Sequence, residues 1–308
     1  METNLMPGRA LRHPLGRLAL TAIAPVAWGS TYYVTREYLP GDAALWGGVF
    51  RALPAGLILL LICRRLPRGS WWWKSLVLGT LNIGAFFALV YAVAQLLPSS
   101  IAATTMAVSA GVLMLLAWPL LGERPKRWPL IGAALGFLGV AIMVFDGQSK
   151  ISMLGILLSL TAMGISSLGF ILAKKWSSGQ PIVDTTAWQL VAGGLLLLPF
   201  AWLIQGPPPA LDRQAVLGFG YLSVVATAIA FLAWFSGLRH LPSGTVGLLG
   251  LLNPVAGVIL GTLLAAESLG IQSLGGMALV LCGVLLGLLA NRAQPRISLR
   301  DRVHAATP

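Results

Sequence analysis

Residues 97–140, LPSSIAATTMAVSAGVLMLLAWPLLGERPKRWPLIGAALGFLGV, return 144 positions later as residues 241–284, LPSGTVGLLGLLNPVAGVILGTLLAAESLGIQSLGGMALVLCGV. Pro98 and Ser99 recur as Pro242 and Ser243, and Gly132 and Gly139 recur as Gly276 and Gly283. Glu123 recurs as Glu267, each acid 25 residues after its proline. Each copy reads as a Pro-Ser helix start, an apolar span of about twenty residues, an acidic break and a second, glycine-rich apolar span. A register held over that length is a duplication, and such a repeat governs every later assignment.

Composition sets the class. Of 308 residues 57% are hydrophobic and 10% charged, with a mean hydropathy of +0.83, whereas soluble domains carry about 25% charged residues. This is the profile of a polytopic membrane protein. Crossing roughly 30 Å of hydrocarbon as helix takes about twenty apolar residues. Ten such runs are marked, at 18–37, 44–63, 75–96, 99–121, 128–145, 152–173, 185–204, 214–237, 243–265 and 270–290. The expected fold is all-α, with ten transmembrane helices in two five-helix repeats, 18–145 and 152–290, between tails 1–17 and 291–308. Five spans per half is an odd number, so the second half is expected to be inverted relative to the first. Ala22-Ile23-Ala24 follows a basic leader, but so few apolar residues precede it that an uncleaved first span is expected.

The net charge of +12 would point to nucleic acid in a soluble chain; here position decides. With the N-terminus inside, 17 of the 21 basic residues fall on the inner side, Arg36, Lys150 and Arg213 fall outside, and Arg51 lies within a span. That asymmetry predicts two cytoplasmic termini in a cell (inner) membrane, with basic clusters against anionic lipid and no nucleic-acid partner. Cys63 and Cys282 fall within spans and read as small packing residues.

Polar and aromatic side chains at mid-span depth are the candidates for a site. The first span carries Pro25, which leaves the Thr21 carbonyl without its helical donor, and then Trp28-Gly29-Ser30-Thr31-Tyr32-Tyr33. Arg51, about 10 Å below the outer end of its span, is read in two ways: a structural cation bonded to helix carbonyls, or an attraction point for an anionic substrate group. Its counterpart in the second half is Gln189, so the repeat does not require the charge. The third span carries Asn82, Phe86 and Tyr91, the sixth Ser167, and the eighth Thr227 and Trp234. Aromatics at helical spacing are more often packing or lipid-facing residues, but mid-span placement away from the interfacial belts raises the alternative that some of them wall a cavity. Ser109 of the fourth span matches Asn253 of the ninth, where Pro254 adds a kink. Small residues in both spans place them in the bundle interior, and the glycines of the fifth and tenth make a tight pair or a homodimer face.

No enzymatic constellation is visible. Every acid falls in a loop, a tail or a span end, the histidines are scattered, and no Walker-type phosphate loop is present, so neither a catalytic residue, a metal site nor a cofactor is expected. Glu123 and Glu267 are read either as helix-end acids that receive the amides of the next span or as gate acids that titrate on alternate sides.

Trp28-Gly29, Arg51, the two Pro-Ser starts, Gly122-Glu123 and the inverted duplication together resemble the drug/metabolite transporter superfamily, in its EamA group of ten-span exporters. The resemblance covers about 18–290. It implies export of amino acids and other small metabolites through a cavity lined by the first, third, fourth, sixth, eighth and ninth spans. Two departures stand out: Ala110 where many members have proline, and Ala265-Ala266-Glu267 in place of Gly-Glu. The expected substrate site is Trp28, Ser30, Tyr32, Asn82, Phe86, Tyr91, Ser109, Ser167, Thr227, Trp234 and Asn253, with Arg51 at its access path or in a structural role. The expected function is secondary export by alternating access; uptake, facilitated diffusion, or a membrane scaffold or enzyme are the other readings.

Overall fold

The structure, a computed structural model, describes residues 14–38, 44–97, 107–144, 152–177, 179–264 and 270–292, without the side chains of Tyr32, Arg36, Ala94, Gln95, Val144 and residues 290–292. Regular structure among the described residues is helical throughout. Helix α1 is Pro14–Tyr38, α2 is Ala44–Cys63, and α3 joins Trp71–Gly79 to Ala85–Leu96 through a π-helical turn, Thr80–Gly84. Then come α4 (Ser109–Leu121), α5 (Arg127–Val144), α6 (Met153–Trp176) and α7 (Ile182–Gln205). Helix α8 joins Arg213–Ser223 to Ala230–His240 through the π-helical Val224–Ile229, α9 comprises Ser243–Gly250 and Leu252–Leu264, and α10 is Ile271–Arg292.

Seven of these, α2, α3 and α6 to α10, are long and apolar enough to cross a membrane, and α4 and α5 are shorter apolar helices. Leu61, Leu203 and Leu263 stand 74%, 80% and 73% exposed on the outer flank. In water such a surface would be costly, whereas hydrocarbon solvates it. The chain is therefore a multi-pass membrane protein.

Helix ends follow local chemistry. Gly122 closes α4 with φ 71°, a left-handed conformation that a side chain would oppose. The Asp212 carboxylate accepts the Ala215 amide at 2.7 Å and so caps α8. The two π turns begin at Thr80 and Val224, and 224 − 80 is the 144-residue offset of the duplicated stretch.

Helix α5 packs along α10, α2 along α7, and the first part of α9 along α4; α1 contacts α8 and α9, as α6 contacts α3 and α4. A Cβ on Gly139 would fall 2.6 Å from the Gly276 carbonyl oxygen, and one on Gly276 would fall 2.5 Å from that of Gly139. Gly132 faces Gly283 in the same way. Stepping forward in α5 steps backward in α10, so the two helices run antiparallel. These glycines are turned on one another within one chain, the tight pair expected from the sequence. The contacts of α2 with α7 (Gly48 with Leu197, Leu53 with Gly194) and of α4 with α9 (Ala110 with Gly247, Met114 with Gly244) also run backward. With no hydrophobic drive between helices in lipid, this close backbone approach is what holds such pairs.

Candidate functional site

The π turn of α8 prepares the site. Within it the Ala230 amide bonds to the carbonyls of Val225 and Thr227 and passes over that of Ala226. The Ala226 carbonyl accepts from Trp28 Nε1 and from an Arg51 terminal nitrogen, each at 3.1 Å. Arg51 Nε donates to Thr227 Oγ1 at 3.0 Å, and the guanidinium carbon lies 5.2 Å from the Phe87 ring centroid. A π turn thus offers backbone oxygen at a depth where lipid offers no partner, and α1 and α2 are tied to α8 through it.

The other half repeats the device without charge. Asn82, in the π turn of α3, donates from Nδ2 to Gln189 Oε1 of α7 at 2.8 Å. Asn82 and Ala226 are 144 residues apart, and Gln189 is the counterpart of Arg51. Asn82 and Gln189 are each 1% exposed.

Between these two ties lies a cavity of about 290 Å³. One wall is aromatic. The Trp28 ring sits 5.5 Å from Phe231 and 5.1 Å from Trp234, and Phe170 sits 5.5 Å from Trp234. Phe86 and Phe87 close the side toward α3, and the remaining polar lining comes from Thr31, Asn82, Ser109, Ser166, Ser167 and Asn253. Arg51 is the charged residue among the described lining residues. Asn82 Oδ1, Asn253 Oδ1 and Trp234 Nε1, all on lining residues, are buried without a hydrogen-bond partner, a state that costs roughly 1–3 kcal/mol per group.

Of the residues singled out from the sequence, Trp28, Arg51, Asn82, Phe86, Ser109, Ser167, Trp234 and Asn253 come together on this cavity. Three do not. The Ser30 hydroxyl bonds to the Ala27 carbonyl and to the Tyr221 hydroxyl, each at 2.7 Å. Tyr91 packs beside Leu45, Trp46 and Leu197 of the α2–α7 contact, and Thr227 is fully buried beneath Arg51. The Tyr32 side chain, Glu267 and the Pro98-Ser99 start lie outside the described residues. Phe231 and Phe170, both on the lining, stand outside the site expected from the sequence. Phe231 is one helical turn before Trp234, and Phe170 is one turn after Ser166 and Ser167, so the i, i+3 and i, i+4 neighbours of the chosen residues were the available signal.

Glu123 requires a correction. Its expected partners were the first amides of α5. Its Oε2 instead accepts the amide of Ser243, the first residue of α9, at 2.7 Å, while its Oε1 meets Lys174 Nζ at 2.5 Å. Lys174 also donates to the Leu241 carbonyl at 2.8 Å and the Ser243 hydroxyl at 3.2 Å. The left-handed Gly122 turns the chain out of α4, and the Ser243 amide, at the N-terminus of α9 where no earlier turn of helix supplies an acceptor, is there to receive the carboxylate.

The EamA-like transporter family model matches residues 17–145 and again 153–289. The chain is 32% identical to protein PecM of Dickeya dadantii over 85% of this chain and 89% of that one. It is 26% identical to a probable amino-acid metabolite efflux pump of Salmonella typhimurium, over 91% of this chain and 96% of that one. A solved crystal structure of 18% identity superposes with a TM-score of 0.79 over 92% of this chain and 100% of that chain, a likeness of fold. With two matches that between them take in nearly all of its helices, the chain belongs to the EamA-like transporter family, within the drug/metabolite transporter superfamily.

Proposed function

We propose that this membrane transporter exports small amphipathic metabolites, amino acids or compounds like them, by alternating access of two inverted five-helix halves, and that it is not an enzyme. The observation that carries this is the cavity itself, a space of about 290 Å³ whose wall joins Arg51, an aromatic cluster and amide side chains from both halves. An aromatic wall takes a ring or an aliphatic body, the guanidinium takes a carboxylate, and the amides of Asn82 and Asn253 take an ammonium or amide group. The antiparallel contacts of α5 with α10, α2 with α7 and α4 with α9 support the inverted arrangement. The name of the Salmonella relative supports an outward direction and an amino-acid-like substrate.

Orientation is proposed from charge. Contacts among Arg65, Asp184, Lys174, Glu123, Ser243, Arg239 and Gln180 gather the ends of α2, α4, α6, α7, α8 and α9 at one pole of the bundle. That pole also carries the basic residues of the loops, and we place it, with both termini, on the cytoplasmic side of the inner membrane. The Glu123–Lys174–Ser243 cluster then acts as an inner gate, and Glu267, the repeat counterpart of Glu123 in the sequence, is proposed as the gate acid of the second half.

The test is transport. Everted membrane vesicles holding the protein, offered a panel of labelled amino acids and aromatic carboxylates, are expected to accumulate at least one of them above vesicles without it. Arg51→Met at equal abundance is expected to lower that accumulation about a hundredfold for acids, the loss of a charge-assisted contact of roughly 3 kcal/mol. A panel that accumulates equally with and without the protein overturns export.

A further inference from the structure

A second concavity, of about 540 Å³, lies on the flank of the bundle at its basic pole, apart from the central cavity. Its walls include Leu66 and Pro67 of the α2–α3 loop, Trp72 and Leu76 of α3, and Ala192 and Leu195 of α7. Leu66, Trp72 and Leu195 are 62%, 61% and 57% exposed, so this slot opens sideways, toward lipid. Its apolar walls are suited to hydrocarbon.

The rim has a different chemistry. Arg65 and Arg68 flank the lining pair Leu66-Pro67, and Lys74, next to the lining residues in the chain, is turned toward Trp176 of α6. The Arg65 carbonyl accepts from Trp188 Nε1 at 2.7 Å, which holds the basic loop onto a Trp that lines the groove. The Arg65 guanidinium lies 3.7 Å from Asp184 Oδ2, beyond hydrogen-bond length, and its side chain stays 68% exposed. The Lys74 ammonium sits 5.4 Å and 5.8 Å from the Trp71 and Trp73 ring centroids, the combination that anchors a protein at headgroup level. Inside the groove, Ser75 is 3% exposed and its hydroxyl has no partner in the protein. Just beyond it, α3 and α7 touch at Gly79, whose Cβ would lie 2.6 Å from the Gly193 amide.

We propose that this groove is a binding site for one anionic phospholipid of the phosphatidylglycerol type. An acyl chain lies between α3 and α7, the phosphate meets Arg65 and Arg68, and the Ser75 hydroxyl donates to an ester carbonyl. Charge decides for an anionic headgroup over a zwitterionic one: the two arginines of the α2–α3 loop stand at the rim against the carboxylate of Asp184, and each cation adds to the attraction for an anionic lipid. The bound lipid braces α3 against α7 where the two halves meet.

The experiment is thermal unfolding of the purified full-length protein in mild detergent, titrated separately with dioleoyl-phosphatidylglycerol, dioleoyl-phosphatidylcholine and inorganic phosphate. The anionic lipid is expected to raise the midpoint by about 3 °C more than the zwitterionic one, saturably. Inorganic phosphate is expected to have no such effect. Arg65→Gln with Arg68→Gln, both at the exposed rim, should abolish the difference between the lipids. Ala192→Trp and, independently, Leu76→Trp should abolish it by filling the groove, so one misfolded variant leaves the other to decide. Equal shifts with the two lipids, a shift reproduced by phosphate, or a preference that survives the rim variants or both groove-filling variants each overturn the proposal.

Discussion

The α5–α10 crossing and the wall of the central cavity both draw on the duplicated stretch, and both are rich in small residues, yet they use them in opposite ways. At the crossing, Gly132, Gly139, Gly276 and Gly283 bring two helix backbones into contact. Away from that seam, Gly250 of α9 stands on the cavity wall beside the Trp234 ring, which a Cβ would meet at 3.3 Å, and Gly111 of α4, next to Ala110 but not on the lining, would meet nothing within 4 Å. The difference is made by the partner. Helix α10 offers glycine to glycine, whereas α9 breaks at Leu251 ahead of Asn253-Pro254 and faces the indole of α8. A small residue in a membrane bundle therefore marks either a closed seam or an opening, and only the opposing surface says which.

The sharpest way to break that comparison is a matched pair of insertions. Gly139→Leu forces a side chain into the facing backbone and is expected to cost about 3 kcal/mol or more, read as lost membrane abundance and a lower Tm. Gly111→Leu, facing open space, is expected to stay within about 1 kcal/mol of the parent. Equal losses would dissolve the distinction between seam and opening.

The next effect sharpens the open side. Asn253→Ala, beside the Pro254 kink, is expected to lower transport about tenfold, equivalent to about 1.4 kcal/mol of lost contact, with abundance near normal. A fall in abundance with normal transport per molecule would assign Asn253 to packing, against the reading drawn from its Oδ1, which has no partner in the protein.

The smallest effect concerns the tie between seam and cavity at the basic pole. Glu123→Gln keeps an acceptor for the Ser243 amide but removes the charge that meets Lys174, and with both side chains partly exposed the expected cost is about 1 kcal/mol. The measurement is thiol labelling of a cysteine introduced at Gly244, expected to speed up severalfold in the variant as the start of α9 loosens. Unchanged labelling would remove Glu123 from the gate and leave it as a cap.

Much of this was open to reading from the residues. Hydropathy and charge placed the chain in a membrane, and the 144-residue register exposed the duplication. Arg51, Trp28, Trp234, Asn82 and Asn253 stood out because polar or bulky aromatic groups at depth in hydrocarbon need a reason. The same logic, applied to Ser30, Tyr91 and Thr227, selected residues that the fold uses elsewhere: Ser30 against Tyr221, Tyr91 on the α2–α7 seam, and Thr227 under Arg51.

The physical reason is the solvent. In a soluble helix the apolar face points inward and the polar face outward, so periodicity reports burial. In a bilayer the outer face is apolar as well, and the pattern along a helix no longer separates lipid from lumen or a seam from a void. The sequence alone determined the class, the repeat and which residues are unusual at depth. The tertiary structure decided which of them share a wall, which glycines close and which open, that two π turns present backbone oxygen and an amide to the other half, and that Glu123 reaches across to α9, because each of these depends on what the opposing helix presents.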